Sequence, residues 1–445
     1  MPYGLRIGAR FGATDSITGA SRIEYVDVLR GVAVLGILAV NIVHFGEPYG
    51  FSVVNSGDGA AGTLNVLAWL INWLLLEGTM RGLLSLLFGV GIVLYMRREG
   101  AEGGAALDLH GRRMLWLIAF GLVNSHVFLW RGDILFEYAV TGLFLFPLRK
   151  LRPRWQILLA VSALLFITAR GTSEWLHVRG LESAEQAAMA AQRAGQPLTQ
   201  EMQATLDDWR QATEGAQPTA EAIARNMATM RGTVGGMFRF VTKEITDDRT
   251  ITYYRKGIFE TGAMLLIGMA LLQLGAFDGS WARRRYLLLA LAGYGLGLAI
   301  RGAECFAMLR SHFDPVVAEF AALVLYQPGR VAMTLGHVGA VALLCRAGAL
   351  RAVREALGAT GRMALTNYLS HSLICLVVFT GLGFGLYGRL ERYQLYYVVA
   401  AIWALQLAWS SAWLNRFRFG PAEYLWRALV SWRLPPFRRS GVATG

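Results

Sequence analysis

Residues 26–45 read Val-Asp-Val-Leu-Arg-Gly-Val-Ala-Val-Leu-Gly-Ile-Leu-Ala-Val-Asn-Ile-Val-His-Phe, a membrane-length apolar run whose polar groups lie only near its two ends. Asp27 and Arg30 stand one helical turn apart at the first end. Asn41 and His44 repeat that spacing at the other, about 20 Å further on at 1.5 Å of rise per residue. Polar groups on a lipid-facing helix are costly, so they normally face the protein interior and often mark a functional path. This segment therefore predicts a helix that lines a polar route with two ends.

The remaining sequence supports a membrane setting. Of 445 residues, 55% are hydrophobic and only 16% charged, and several runs approach the length needed to cross a bilayer. The alternation expected of a membrane β-barrel is absent. The expected fold is all-α, a polytopic integral membrane protein embedded in a lipid bilayer. The net charge of +13 sits largely in arginines of short loops, the pattern of the positive-inside rule. No basic face with interleaved aromatics stands apart from those loops, so nucleic acid is not an expected partner. The three cysteines, Cys305, Cys345 and Cys375, are far apart and suggest neither a disulfide framework nor a thiolate metal site. The first run lacks a small-residue cleavage site and reads as a retained span.

Ten spans are predicted, at about 28–46, 80–97, 113–130, 134–149, 155–170, 256–275, 285–302, 329–347, 363–385 and 394–414. Basic residues follow every second span: Arg97, Arg98 and Arg112; Arg149, Lys150 and Arg152; Arg283 to Arg285; Arg346, Arg351 and Arg354; and Arg416, Arg418 and Arg427. Both termini are therefore expected in the cytoplasm. Residues 64–79 are apolar enough to span, but counting them would invert every later loop. They read as an interfacial or re-entrant helix feeding the second span. Residues 317–327 read similarly, with Gln327-Pro328-Gly329 as a break before the eighth.

Residues 171–254 differ in kind. They are rich in Ala, Gln, Glu and Thr, with eight Lys/Arg against eleven Asp/Glu and apolar residues at helical spacing. The expectation is a small extracytoplasmic helical insertion. The chain then divides into a cytoplasmic tail (1–25), a five-span half (26–170), the insertion (171–254), a second five-span half (255–435) and a second cytoplasmic tail (436–445).

Two constellations suggest chemistry. The run from Asn124 to Tyr138 has a tight turn at Arg131-Gly132-Asp133, so His126 and Glu137 are expected to descend from it on adjacent helices. A histidine oriented by a carboxylate is a minimal general-base pair, and Asp133 offers a second carboxylate; the plainer reading is a hairpin held together by its charges. His44 is either a second catalytic candidate or an interfacial residue. Asp27 and Arg30 read either as a structural ion pair or as part of an anion-binding mouth. No histidine or acidic spacing matches a metal site. The glycine clusters at Gly89 to Gly91 and Gly381 to Gly385 fall within spans, where small residues allow close helix packing.

Five motifs occur in order: Asp27-Val-Leu-Arg-Gly31 leading to Val40-Asn41-Ile42; Ser85-Leu-Leu-Phe-Gly-Val-Gly91; Gly132-Asp133-Ile-Leu135 with Tyr138-Ala139; Gly361-Arg362-Met-Ala-Leu-Thr366-Asn367-Tyr368-Leu369; and Arg418-Phe-Gly420-Pro421-Ala-Glu423-Tyr-Leu-Trp426-Arg427. Together they resemble the YeiB-like family of bacterial inner-membrane proteins, whose C-terminal portion is a domain of unknown function (DUF418). The likeness covers nearly the whole chain except the insertion. More distantly, the Asp-x-x-Arg-Gly start is similar to membrane acyltransferases of the acyltransferase-3 and heparan-glucosaminide acetyltransferase types. In those families a histidine near the outer end of the corresponding helix is the catalytic candidate; here Asn41 takes the acyltransferase-3 position and His44 follows one turn later.

This resemblance implies a protein of the bacterial inner membrane that moves an acyl group, acetyl in the first instance, from cytoplasmic acetyl-CoA or another acyl-CoA to a glycan or lipid-linked acceptor on the far side. The catalytic set would be drawn from His44, His126, Asp133 and Glu137. The donor-binding set would comprise Asp27, Arg30, Asn41, Arg362, Asn367 and His371, with no metal. Arginines suit the phosphates, and an amide suits the developing oxyanion. A transporter or flippase of a small anionic or lipid-linked substrate is the competing expectation, since intramembrane ionisable groups suit a relay equally. A non-catalytic scaffold is the third. Self-association is left open.

Overall fold

The computed structural model describes residues 19–48, 60–100, 102–214, 218–252 and 256–439. The N-terminal tail through residue 18, residues 49–59 and the last six residues lie outside these.

The described chain is a bundle of helices. The first half holds α1 (Gly19–Gly46), α2 (Ala60–Leu75), α3 (Thr79–Glu99), α4 (Gly103–His126), α5 (Leu135–Leu145) and α6 (Pro153–Arg193). A 3-10 turn, Phe146–Lys150, extends α5. The insertion contributes α7 (Gln200–Glu214), α8 (Ala220–Met230) and α9 (Val234–Thr252). The second half holds α10 (Ile258–Gln273), α11 (Arg283–Arg310), α12 (Pro315–Phe320), α13 (Tyr326–Arg346), α14 (Arg351–Arg362), α15 (Ala364–Phe379), α16 (Arg392–Arg416) and α17 (Pro421–Ser431).

Each of the ten predicted segments holds a helix, but α4 ends at His126 and α15 at Phe379, short of the predicted ends. Among the described residues, six helical stretches are long and apolar enough to cross a membrane, or seven if α14 and α15, bent by 80° at residue 363, form one span. The protein is an all-helical, multi-pass membrane protein. At the centre of the bundle α3 and α10 touch backbone to backbone. A Cβ on Gly268 would stand 2.0 Å from the Leu86 carbonyl, and one on Gly89 would stand 2.1 Å from that of Leu265. Only reciprocal glycines permit this approach, and it makes α10 a nearly fully buried strut.

Three expectations change. Residues 64–79, read as an interfacial or re-entrant helix, are continuous with the second span. α2 buries Asn65, Trp69 and Asn72 and joins α3 through a break of three residues, so 60–97 forms one broken stretch of membrane-crossing length. Gln327-Pro328-Gly329 is not a break. α12 passes into a π-helical turn, Ala321–Leu325, and straight on into α13. Pro328 cannot donate to residue 324, and the adjoining wider π turn accommodates the ring without ending the helix. The composition shift at 170/171 also leaves no structural mark: α6 runs unbroken across it for 41 residues.

Candidate functional site: two cavities along one helix face

Arg30, Val34, Ile37, Asn41 and His44 succeed one another on α1 at alternating steps of four and three, which places them on one face of the helix. Two cavities open on that face. The first, about 350 Å³, is lined by Arg30 and Val34 of α1 with residues of α3, α4, α5, α15 and α17. The second, about 420 Å³, is lined by Ile37, Asn41 and His44 with the α2–α3 break, the α4–α5 loop and the start of α10. The face read from sequence as a route is lined by these two cavities, which share Ile134.

The first cavity is cationic at its mouth and apolar within. Arg30, Arg113, Arg362 and Arg427 line it, as do Leu84, Leu87, Phe88 and Leu117. The guanidinium groups of Arg30 and Arg113 flank Gly91, at 3.8 and 4.0 Å from where a Cβ would stand. Arg30 is bonded to Asp27 at 3.2 Å. Arg113 lies over the rings of Tyr95 (4.4 Å) and Trp426 (4.9 Å), and its buried Nη1 has no hydrogen-bond partner. Converging arginines with an unused, desolvated donor form an anion site, because guanidinium forks match phosphate and carboxylate oxygens.

Glu423 closes this cavity from α17. Its carboxylate accepts from the Leu365 amide (2.6 Å), the Thr366 amide (3.1 Å) and the Thr366 hydroxyl (2.5 Å), so it caps the exposed N-terminus of α15 at the sharp bend. Burial pushes the Glu423 carboxyl above its ordinary range, and the Thr366 bonds pull it back only in part. A raised native value means that this contribution to stability is complete below the ordinary carboxyl range and is lost as pH rises through the raised value. Glu423→Ala should cost about 1–3 kcal/mol by leaving two buried amides without an acceptor. Thermal unfolding in detergent measures this, and the wild type should lose stability relative to Glu423→Gln as pH rises above the ordinary carboxyl range. Equal melting of wild type and Glu423→Ala would refute the cap.

A thin wall separates the chambers. Ile134 lines both, its amide held by the Tyr368 hydroxyl at 3.1 Å. One turn on, the Tyr138 hydroxyl donates to the Arg81 carbonyl (3.0 Å) and lies 2.9 Å from Ser85 Oγ. Beyond the wall the second cavity mixes charges: Glu77, Arg81, Arg131, Asp133, Glu137, Lys256 and Glu260 join Asn41 and His44. Buried Glu260 binds both Arg81 (2.6 Å) and Arg330, and Arg131 reaches Glu244 of α9 (2.5 Å), which ties the insertion to this mouth.

The residues singled out from sequence divide accordingly. Asn41, His44, Asp133 and Glu137 meet in the second cavity, and Arg30 and Arg362 in the first. His126 lines neither, and its Nδ1 lies near Ser125 Oγ (3.0 Å) and the Leu122 carbonyl (3.3 Å) of its own helix. The tight hairpin expected between His126 and Glu137 is instead a looser link. α4 ends at His126, and the chain turns through Leu129 at φ 56°. Asp133 then reaches back to Asn124 (2.8 Å) and caps α5 through the Phe136 amide (3.0 Å). Asn367 and His371 face α16. Asn367 donates to Ser410 Oγ (3.0 Å) and accepts from Trp409 (2.7 Å), while His371 Nε2 pairs with Gln406 Oε1 (3.0 Å). They lace two helices together, away from both cavities. Arg113, Trp426 and Arg427 were legible only as loop charge or family motif, and nothing local marked them as lining.

Residues 271–433 match the family described as a protein of unknown function (DUF418). The chain is 28% identical to the uncharacterized protein YxaH of Bacillus subtilis (strain 168) over 436 residues, 93% of this chain and 95% of that one. It is 26% identical to the uncharacterized protein YeiB of Escherichia coli (strain K12) over 409 residues, 91% and 95% of the two chains. No solved structure matches it. With a DUF418 segment in its second half and likeness to these proteins over nearly their whole lengths, the chain is similar to the YeiB-like proteins.

Proposed function

We propose that the protein is an acyltransferase of the bacterial cytoplasmic membrane, carrying an acyl group from a CoA thioester at the cytoplasmic side to a glycan or lipid-linked acceptor at the outer side. The observation that carries this reading is the pair of cavities meeting along α1, the basic-side one ringed by four arginines and the other holding a histidine. Arg30, Arg113, Arg362 and Arg427 would engage the phosphates, and Tyr95 and Trp426 offer aromatic faces to a purine ring. The pantetheine arm would run along Val34, Leu84 and Phe88 to the wall at Ile134. On the other side His44 takes the proton of the acceptor hydroxyl or amine as its oxygen or nitrogen bonds to the carbonyl carbon. The C–S bond breaks, and CoA leaves as a thiolate that is then protonated. Asn41 would donate to the developing oxyanion.

Titration of the purified protein with acetyl-CoA tests the donor site. Charge-assisted hydrogen bonds contribute about 1.5–3 kcal/mol each, so Arg113→Ala and Arg362→Ala should each weaken binding about tenfold to a hundredfold. A wild-type protein that binds no acetyl-CoA at millimolar concentration would exclude the reading.

The broken stretch α2–α3, with ionisable groups packed around it, favours a transporter of a small anion as the second reading. Reconstituted vesicles separate the two. Release of free CoA thiol without any gradient supports transfer, and solute flux without thiol release supports transport.

A further inference from the structure

The break between α2 and α3 is heavily supported. In a membrane interior every main-chain group freed by a break must find a partner. Here the amides of Leu76 and Glu77 both donate to the Asn72 carbonyl at 2.8 Å. The Glu77 carbonyl accepts from Arg301 Nη2 at 3.1 Å. Arg301 is itself fully buried and fixed by Glu304 (2.9 Å), which also accepts from Trp73 (2.8 Å). Gly78 follows at φ 67°, where a Cβ would stand 2.4 Å from the Tyr326 hydroxyl. A buried ion pair, a tryptophan and an obligatory glycine thus hold one residue out of helical register. That residue is Glu77.

Its side chain opens on the same cavity as His44, with Oε1 accepting from the Tyr326 hydroxyl at 3.2 Å. Two other carboxylates of that cavity are engaged elsewhere, Asp133 with Asn124 and the Phe136 amide, and Glu260 with Arg81 and Arg330. Glu137 acts electrostatically on Arg81. Glu77 and Arg131 share the lining of this cavity with His44, and Arg392 acts on His44 from α16. Arg81 of α3, Asp133 and Glu137 from the α4–α5 side, and Lys256 and Glu260 at the start of α10 complete the charges around the ring.

We infer that Glu77 is the positioning carboxylate of His44, delivered by the helix break to orient the imidazole and balance its charge when it takes up a proton. The kinetic consequence rests on the acyl-transfer reading; the pairing itself does not. An imidazole is a more effective base when a fixed carboxylate selects its tautomer and stabilises the imidazolium.

Two measurements on Glu77→Gln test the inference. Diethylpyrocarbonate labelling of His44, followed by mass spectrometry across pH 5–8, needs no substrate. Labelling should be faster than wild type on the acid side of the profile, because the charge that retains a ring proton is gone. Turnover of acetyl-CoA, read as free thiol, should fall about tenfold to a hundredfold in kcat with KM little changed, as expected for a group acting through the base. Glu77→Asp should recover part of both effects. An unchanged His44 labelling profile in Glu77→Gln overturns the pairing, whatever the kinetics. A shifted profile in a protein that never releases thiol supports the pairing and overturns acyl transfer instead.

Discussion

His44→Ala should lower acetyl-CoA turnover about a thousandfold, within the range that a positioned general base contributes, while His126→Ala should leave it within about twofold of wild type. The two histidines look alike in sequence, each polar, each near the outer end of a predicted span. Their surroundings separate them. His44 continues the α1 stripe into the second cavity, where an acceptor would lie across the Ile134 wall from the thioester. His126 turns back on the last turn of α4, its Nδ1 near Ser125 and the Leu122 carbonyl. Removing His44 takes away the proton acceptor without emptying a packed core, so acetyl-CoA affinity should persist while kcat collapses. Free-thiol release by purified protein measures both variants. Undiminished turnover in His44→Ala, or equal losses in the two, would remove His44 from the reaction.

The difference between these histidines shows what sequence can carry. The α1 stripe was legible because its residues belong to one helix, where periodicity alone fixes the shared face. Helical class and the basic loops were legible for a similar reason, since hydropathy and charge act locally. The anion site was not. Arg30, Arg113, Arg362 and Arg427 come from four separate elements, and loop arginines that set topology look the same as arginines that line a pocket. The pairing of His126 with Glu137 failed because one left-handed residue, Leu129, and the reach of Asp133 to Asn124 redirect the connecting chain. Pro328 suggested a break because proline ordinarily ends a helix, whereas a neighbouring π turn absorbs it. Asn367 and His371 read as intramembrane polar groups awaiting a ligand, yet Gln406, Trp409 and Ser410 lie one turn apart on a helix some forty residues away and use them as lacing. The role of Glu77 is not legible in the sequence, because the value of a helix break depends on what distant helices supply to hold it.

Glu260→Ala should destabilise the protein by about 3–5 kcal/mol, the usual cost of removing one partner from a buried ion pair. Glu260 is 4% exposed, and Arg330, which it binds, is 1% exposed. The same carboxylate also neutralises Arg81. Without it two guanidinium groups would face each other beneath the second cavity, with Lys256 on the same wall. Arg330 has little to fall back on, because its Nε and Nη2 are already buried without partners. The loss therefore comes mainly from stranded positive charge and less from the missing attraction. Glu260→Ala/Arg330→Met should accordingly be more stable than Glu260→Ala alone, since an apolar replacement of the whole pair leaves less charge behind. Thermal unfolding in detergent across this double-mutant cycle measures the coupling. A Glu260→Ala protein that melts with wild type, or a double variant less stable than the single one, would show that the cluster is neutralised by other groups. If the cluster is the floor of the second cavity, Glu260→Ala should also raise the diethylpyrocarbonate reactivity of His44, because the added positive charge favours the neutral, reactive ring.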